Sequence, residues 1–226
     1  MVKPGLHVGE LDARAREFIR ENGDKAAFLD YQPYGATRPY PAALCVSIND
    51  EIVHGIPTEG DKVLKEGDIV TLDLGLAHRE LITDAAVTVP VGGISPELEK
   101  LLRITKEALM AGIKAAKGGK RVGDISNAIQ TIGTANGYGV VEELAGHGVG
   151  YHVHEDPYIP NHGQAGKGKT LRPGMVIAIE PMFTLGTKDI KLDSDGYTYR
   201  TADGKPSAHF EHTVVITKSG AEVLTQ

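Results

Sequence analysis

The sequence contains a single cysteine, Cys45, among its 226 residues. One cysteine excludes an internal disulfide framework and is typical of a reducing compartment, so we expect a cytoplasmic location. No apolar run approaches the roughly 20 residues that a membrane-spanning helix needs. The first residues, MVKPGLHVGELD, show no apolar stretch of the signal-peptide kind, and we expect no membrane association.

Basic residues are also in the minority: 24 lysines and arginines stand against 30 aspartates and glutamates, a net charge of −6. Nucleic-acid binders usually present a basic face, so we predict no nucleic-acid binding. The one basic run, KGGKR at 117–121, lies between two helical patterns and indicates a solvated loop.

Apolar spacing, interrupted by glycine and proline, predicts both helices and strands. Helices are predicted at 8–22, 96–117 and 122–136, strands at 43–48, 51–53, 174–180 and 208–217, and a hairpin over 69–89. No long linker separates these elements. The mixture predicts an α+β fold that forms one domain over residues 1–226.

Two pairs of similar segments indicate an internal repeat. VGELD at 8–12 matches VGDIS at 122–126 with an offset of 114, and each helical pattern then ends at Asn-Gly. LKEGDIVTLD at 64–73 matches LRPGMVIAIE at 171–180 with an offset of 107. Chance similarity between amphipathic segments is the alternative.

The second match superposes Asp73 on Glu180, and chance does not explain why acids occupy the matched positions. In each segment a second strand then brings another acid, Asp84 or Glu211. We therefore predict two related halves, about 1–115 and 116–226, that share one site.

These four acids lie in the apolar, β-prone runs TLDLGL, LITDAAVTV, VIAIEPMF and AHFEHTVVIT. An ionised carboxylate is costly to bury, and four converging ones cost more. Two divalent cations would neutralise them, with the imidazole of GHGVG as a neutral nitrogen ligand. Such oxygen-rich ligation suits Mn²⁺ or Fe²⁺ and also admits Co²⁺ or Zn²⁺. We predict one dinuclear metal site formed by Asp73, Asp84, His147, Glu180 and Glu211.

The hairpin over 69–89 is predicted to bring the two aspartates together. A turn centred on His78-Arg79 would place Asp73 opposite Asp84, and opposed residues of an antiparallel pair share a face. The other face would carry side chains that suit a core: Val70, Leu72, Leu74, Leu81, Ala85 and Val87. A bulge would shift this register, and an exposed edge hairpin is the alternative.

Two more histidines lie in loops bounded by glycine and proline, His54 in EIVHGIP and His154 in HVHEDP. Neither is needed to neutralise the cations, so we expect both to contact substrate or to transfer protons. A hydrogen-bonded structural role is the alternative for any single histidine. The set of groups fits amide hydrolysis by a water that two metals activate.

Taken in order, these motifs make the chain similar to the type I methionine aminopeptidases. The similarity extends from about residue 3 to residue 224 through KPG (3–5), SINDEIVHGIP (47–57), GDIVTLDLG (67–75), ITDAAVTVPVG (82–92), GHGVG (146–150), HEDP (154–157), GMVIAIEPMF (174–183) and FEHTVVIT (210–217). It implies the pita-bread (creatinase/aminopeptidase-like) fold. In that fold two pseudo-symmetric halves form a curved, mainly antiparallel sheet with helices on its outer face.

The resemblance also implies a reaction. The five predicted ligands would hold two divalent ions (Co, Mn, Fe or Zn), with Asp84 and Glu211 bridging them and Glu180 assisting proton transfer from the water. His54 and His154 would contact the substrate near the scissile bond. The enzyme would remove the N-terminal methionine from nascent polypeptides, at the ribosome, when the second residue is small.

The methionine pocket and the N-terminus depart from the family pattern. Tyr40 and Cys45 match pocket positions, but Val153 stands where phenylalanine is usual and Tyr197 where tryptophan is usual, so we expect a looser pocket. The usual helix-containing segment before KPG is expected to be absent, as are N-terminal zinc-finger cysteines. The family default is a monomer, and a dimer stays open.

Two alternative functions stay open. Xaa-Pro aminopeptidases and dipeptidases share the fold, but they usually carry an additional N-terminal domain, and HGIP at His54 disfavours them. A non-catalytic peptide-binding relative would be expected to lose metal ligands. All five are present in this chain.

Overall fold

A computed structural model describes all residues, Met1–Gln226, and contains three helices: α1 (Gly9–Glu21), α2 (Pro96–Ala115) and α3 (Val122–Ala135). In α2, apolar residues recur at helical spacing, so that Leu101, Ala108 and Leu109 are all buried on one face. The Ser95 hydroxyl accepts the Leu98 N–H at 3.3 Å and caps the first turn. All three predicted helices are confirmed. None of them is long and apolar enough to cross a membrane.

Fifteen strands form four antiparallel sheets. They are β1 (Lys25–Ala26), β2 (Cys45–Ile48), β3 (Glu51–Val53), β4 (Ile69–His78), β5 (Leu81–Pro90), β6 (Gly139–Val140), β7 (Ala145–Gly148), β8 (Glu155–Pro160), β9 (Val176–Ile179), β10 (Met182–Thr184), β11 (Ile190–Leu192), β12 (Tyr199–Thr201), β13 (Ser207–His209), β14 (His212–Ile216) and β15 (Ala221–Val223). The largest sheet has the order β15-β14-β9-β7-β8. In the second, β4 pairs with β5 on one side and with β1 and β2 on the other. The small sheets are β13-β10-β6 and β11-β12-β3.

The helices pack on the two larger sheets and form separate parts of the core. The largest apolar cluster joins α2 and α3 to β9 and β14, with Leu109, Ile129 and Ile177 among its fully buried members. A second cluster packs α1 on β2 and β4 through Leu11 and Val70. Helices on antiparallel sheets confirm the predicted α+β class.

Both pairs of similar segments adopt matching local structures. Gly23 and Gly137, which are 114 residues apart and follow α1 and α3, have φ angles of 73° and 74°. Gly67 and Gly174, which are 107 residues apart and precede β4 and β9, have φ angles of 90° and 92°. The two matched helices therefore end in the same backbone conformation, and the two matched strands are preceded by the same backbone conformation. The division of the whole chain into two halves stays a prediction.

The predicted register of the β4–β5 hairpin is wrong by two residues. The turn lies at 79–80, so Asp84 pairs with Gly75 and Asp73 pairs with Ala86. Both turn residues have positive φ, 48° and 69°, as in a type I′ hairpin turn. Apolar patterning does not distinguish the two registers, because a shift of two leaves every side chain on its original face. The aspartates are therefore diagonal neighbours on one face.

The other face of this hairpin is only partly core. Val70 is fully buried, but Leu81 and Val87 are 53% and 42% exposed. The prediction of these two as core residues is wrong because β5 is the edge strand of its sheet, and α1 packs against β2 and β4 instead.

Two predicted strands are interrupted at acidic residues. The strand predicted at 174–180 ends before Glu180. The strand predicted at 208–217 is interrupted at Glu211 and at the residue before it, so that it forms two separate strands. Here the chain passes between sheets: β9 pairs with β14, whereas β10 pairs with β13. Pro181 lacks the N–H that would continue a ladder. The two glutamates lie at this crossover rather than within strands.

Candidate metal centre and active site

Asp73 and Asp84 enter the site from neighbouring strands, and both are buried. Alternation along β4 directs Asp73 away from the face that packs on α1. The Thr213 hydroxyl of β14 accepts the Asp84 N–H at 2.8 Å and donates to the Asp84 carbonyl at 2.7 Å. These two hydrogen bonds join the two larger sheets beside the aspartates.

Glu180 and Glu211 come from the crossover between sheets. The Glu211 N–H donates to the Ala86 carbonyl of β5 at 2.9 Å, which brings this glutamate next to the aspartates. The Glu180 carbonyl accepts the Asn161 side-chain N–H at 3.0 Å. Since each glutamate has a backbone anchor, its carboxylate is directed inward without a continuous strand.

His147 projects from an irregular point in β7, where the register with β8 shifts between Gly146 and Gly148. Its Nδ1 lies 2.8 Å from the Gly148 carbonyl. A carbonyl only accepts, so Nδ1 carries the proton and Nε2 is left with a free lone pair. That Nε2 lies 3.5 Å from Glu180 Oε1 and 4.0 Å from Asp84 Oδ2.

Burial shapes the charges of the site. It raises the pKa of Asp84 to about 7. Burial, followed by repulsion from neighbouring carboxylates, also holds the pKa values of Asp73, Glu180 and Glu211 well above their usual range. Burial lowers the pKa of His147 to about 4, so its imidazole is neutral at pH 7. The neutral His147 therefore does not balance the negative charge that these carboxylates carry when they are ionised.

The donor set fits divalent cations. Ligand atoms of Asp84, His147 and Glu211 lie within 4.8 Å of one another. Buried carboxylate oxygens that have no hydrogen-bond partner in the protein are Asp73 Oδ1, Asp84 Oδ1 and Glu211 Oε1. Buried polar atoms normally have partners, and unpaired carboxylate oxygens beside an unprotonated imidazole nitrogen are typical metal ligands.

All the residues predicted for the site line one cavity of about 260 Å³. The five candidate ligands lie beside the two other histidines and the four pocket residues. The eleven residues are Tyr40, Cys45, His54, Asp73, Asp84, His147, Val153, His154, Glu180, Tyr197 and Glu211. The structure therefore brings together every residue that the sequence proposes, while their individual roles stay predictions.

His54 and His154 are neutral side chains beside the acids. Burial lowers the pKa of His54 to about 4 and also lowers that of His154. His54 has a positive φ of 59°, and a Cβ on the following Gly55 would lie 2.2 Å from the Val46 carbonyl. The sharp HGIP turn therefore needs glycine after the histidine. The His154 ring meets the His147 ring edge-on, with centroids 4.5 Å apart.

The apolar end of the cavity contains the four predicted pocket residues. Tyr40, Cys45, Val153 and Tyr197 belong to one buried cluster. The two tyrosine rings meet edge to face with centroids 5.1 Å apart. Their hydroxyls donate to backbone carbonyls, Tyr40 to Gly55 at 2.8 Å and Tyr197 to Arg38 at 2.5 Å. The wall is therefore apolar although two of its members carry hydroxyls.

Sequence patterns miss two residues at this site. Tyr31 lines the cavity, and its hydroxyl oxygen lies 2.9 Å from His154 Nδ1. His209 is buried with its Nε2 3.5 Å from Glu180 Oε2, and burial lowers its pKa to about 3. The sequence could have indicated His209, because it lies only two positions before the predicted ligand Glu211. The loop that holds Tyr31 has no periodic pattern that would have identified it.

Comparison with known sequences places this geometry in a family. The profile of metallopeptidase family M24 matches residues 1–218. The chain belongs to metallopeptidase family M24. Within M24, a methionine aminopeptidase of Aquifex aeolicus is 48% identical, over 100% of this chain and 88% of the relative. Methionine aminopeptidase 1 of Bacillus subtilis is 45% identical, with the same two coverages.

Solved M24 structures share the architecture. The crystal structure of methionine aminopeptidase from Thermotoga maritima has a TM-score of 0.93 and 44% identity, and the match covers 100% of this chain and 88% of that one. The prolidase from Pyrococcus furiosus has a TM-score of 0.74 and 26% identity, and the match covers 57% of its chain. These similarities confirm the pita-bread fold that the sequence predicts.

Proposed function

We propose that this M24 enzyme removes the N-terminal methionine from polypeptides whose second residue is small. The observation that carries the proposal is the cavity, in which a cluster of acids and neutral histidines adjoins an apolar pocket. The names of relatives that match along the whole chain, methionine aminopeptidases at 45–48% identity, support the same substrate. The pocket would bind the methionine side chain, and the acids would act on the peptide bond.

We further propose that two divalent cations, of Co, Mn, Fe or Zn, bind to the five acidic and histidine donors. The residues that would hold the ions are Asp73, Asp84, His147, Glu180 and Glu211. The unpaired carboxylate oxygens and the unprotonated His147 Nε2 support this assignment. When bound, such cations lower the pKa of a water and polarise a carbonyl.

The protein groups then have separate tasks. Glu180 would take the proton of the attacking water and deliver it to the leaving amine, so that hydroxyl adds to the carbonyl carbon as the C–N bond breaks. Neutral His54 and His154 can each donate one N–H toward the peptide carbonyl. Tyr40, Cys45, Val153 and Tyr197 would exclude water from the methionine side chain.

The test is release of free methionine from Met-Ala-Ser by protein loaded in turn with Mn²⁺, Fe²⁺, Co²⁺ and Zn²⁺. We expect release with at least one ion and none after chelation. Met-Trp-Ser, whose second residue is large, should be resistant. An Xaa-Pro peptide in the same assay tests the proline-directed alternative, and its preferred turnover would overturn the proposal.

We propose that the physiological substrates are nascent polypeptides leaving the ribosome in the cytoplasm, and that the enzyme acts as a monomer. The single buried cysteine supports a reducing compartment. Cosedimentation with ribosomes and light scattering of the purified protein test the location of substrate and the oligomeric state.

A further inference from the structure

Tyr31 reaches the active site from the loop between β1 and β2. Its backbone pairs with that of Tyr40: the Tyr40 N–H donates to the Tyr31 carbonyl at 2.8 Å, and the Asp30 N–H donates to the Tyr40 carbonyl at 2.9 Å. The Tyr31 hydroxyl oxygen lies 2.9 Å from His154 Nδ1. The two rings meet edge to face with centroids 5.5 Å apart.

This contact bears on which nitrogen of His154 carries its proton. Burial raises the pKa of Tyr31, so its phenol keeps its proton at pH 7 and can donate it. A neutral imidazole has one N–H, and the hydrogen bond at one nitrogen decides where it lies. If the Tyr31 O–H donates to Nδ1, the proton of His154 is on Nε2. The hydrogen bond to Tyr31 occupies Nδ1 of the His154 ring, so Nε2 is the nitrogen left for a substrate group.

We propose that Tyr31 is a positioning residue that holds His154 as the Nε2–H tautomer, ready to donate to the carbonyl oxygen of the bound peptide. The inference rests on the proposed aminopeptidase function. It also gives the neighbouring histidines different tasks. His147 donates Nδ1–H to the Gly148 carbonyl and keeps Nε2 as a lone pair, whereas His154 would accept at Nδ1 and donate at Nε2.

The phenol is not needed to hold its own loop in place. Arg38 anchors the loop through an ion pair with Glu59, and it donates to the Asp195 carbonyl at 3.1 Å. The Tyr197 hydroxyl donates to the Arg38 carbonyl at 2.5 Å. Because these contacts do not involve the Tyr31 hydroxyl, Tyr31→Phe removes one O–H and leaves the loop anchored.

Long-range ¹H–¹⁵N correlation spectra of the metal-free, ¹⁵N-labelled protein report the tautomer directly. We expect the wild-type His154 to show a protonated Nε2 and an unprotonated Nδ1, and Tyr31→Phe to show a mixture of tautomers. The resonance is assigned with His154→Gln. With metal-loaded enzyme and Met-Ala-Ser, Tyr31→Phe should lower kcat about tenfold and leave KM within about twofold, as expected for one lost hydrogen bond.

Tyr34→Phe is the matched control. Tyr34 lies on the same loop with its side chain fully exposed, so its variant should keep the wild-type tautomer and kcat. A proton on Nδ1 in the wild type would overturn the inference, and so would an unchanged tautomer in Tyr31→Phe. Because the spectra need neither metal nor substrate, failure of the aminopeptidase proposal would appear separately, as absence of methionine release by the wild type.

Discussion

Glu180 lies between two histidines of the site. His147 and His209 each place Nε2 3.5 Å from one of its oxygens. We expect Glu180→Ala to lower kcat by roughly 10²–10⁴-fold, the usual contribution of a positioned acid–base group, and to weaken Mn²⁺ binding. Methionine release and calorimetric titration measure the two effects. Glu99→Ala, an exposed position on α2, is the control, and full activity of Glu180→Ala would remove Glu180 from the mechanism.

Val153 is a wall residue of the proposed methionine pocket. It is buried in the cluster of pocket residues beside Tyr40 and Tyr197. We expect Val153→Phe to narrow the pocket and to raise the kcat/KM ratio of methionine over ethionine, which has one more methylene, by about tenfold. The check is a competition assay with the two N-terminal residues. Leu81→Phe, at the exposed hairpin end, should keep the wild-type ratio, and an unchanged ratio in Val153→Phe would place the pocket elsewhere.

At the scale of elements, two glycines allow the irregular strand β7 to present His147. A Cβ on Gly146 would lie 2.3 Å from the Ala178 carbonyl, so an added methyl forces the strands apart. We expect Gly146→Ala to destabilise the protein by about 1–3 kcal/mol and to weaken Mn²⁺ binding. Denaturant unfolding and calorimetry measure these effects.

Gly220→Ala is the matched control, since a Cβ there meets no atom within 4 Å. This variant should keep wild-type stability and Mn²⁺ affinity. If Gly146→Ala behaved in the same way, the close approach of β7 and β9 would not be what positions the histidine.

Sequence periodicity predicts most elements correctly but not their pairing. Apolar spacing is a local signal, so it locates α2 and the two strands of the β4–β5 hairpin. The hairpin register depends on backbone conformation at 79–80, where both residues have positive φ. Since a shift of two preserves the faces, the prediction still places Asp73 and Asp84 on one side while it pairs them wrongly.

The candidate site was predictable to the extent that buried charge is conspicuous in an apolar run. Glu180 and Glu211 stand out for this reason, although they lie where the chain changes sheets and not inside strands. That crossover depends on contacts between distant segments, which no local pattern reports. Tyr31 was not predicted because its role depends on a contact with His154, 123 residues away.

For the whole molecule, the buried acids and histidines predict how stability depends on pH without metal. Asp84 keeps its proton up to about pH 7 in the folded protein, against an ordinary value of 3.8. The folded state then holds more protons than the unfolded state, so this group's stabilising contribution falls as pH rises toward 7. His54 and His147 have folded-state pKa values of about 4, against an ordinary value of 6.5. Their contribution to stability therefore rises as pH increases from about 4 to about 6.5.

Unfolded-state histidines lose their remaining protons between pH 6.5 and about pH 7.5, so above about pH 7.5 their contribution is complete and only the carboxylate contribution still changes. We therefore expect the melting temperature of chelated protein to fall between about pH 7.5 and about pH 8.5. Divalent cations should remove most of this fall, because they compensate the ionised carboxylates. Differential scanning fluorimetry with and without Mn²⁺ provides the measurement. A metal-free melting temperature that stays constant or rises over this range would contradict the assignment of the acids to one buried cluster.

The central claim is that five clustered donor residues hold two divalent ions and that this site releases N-terminal methionine. A metal titration of chelated protein, followed in parallel by bound ions per chain and by methionine released from Met-Ala-Ser, tests it most directly. We predict no release without metal, and binding that saturates at two ions per chain. Absence of methionine release with all of Mn²⁺, Fe²⁺, Co²⁺ and Zn²⁺ would contradict the account.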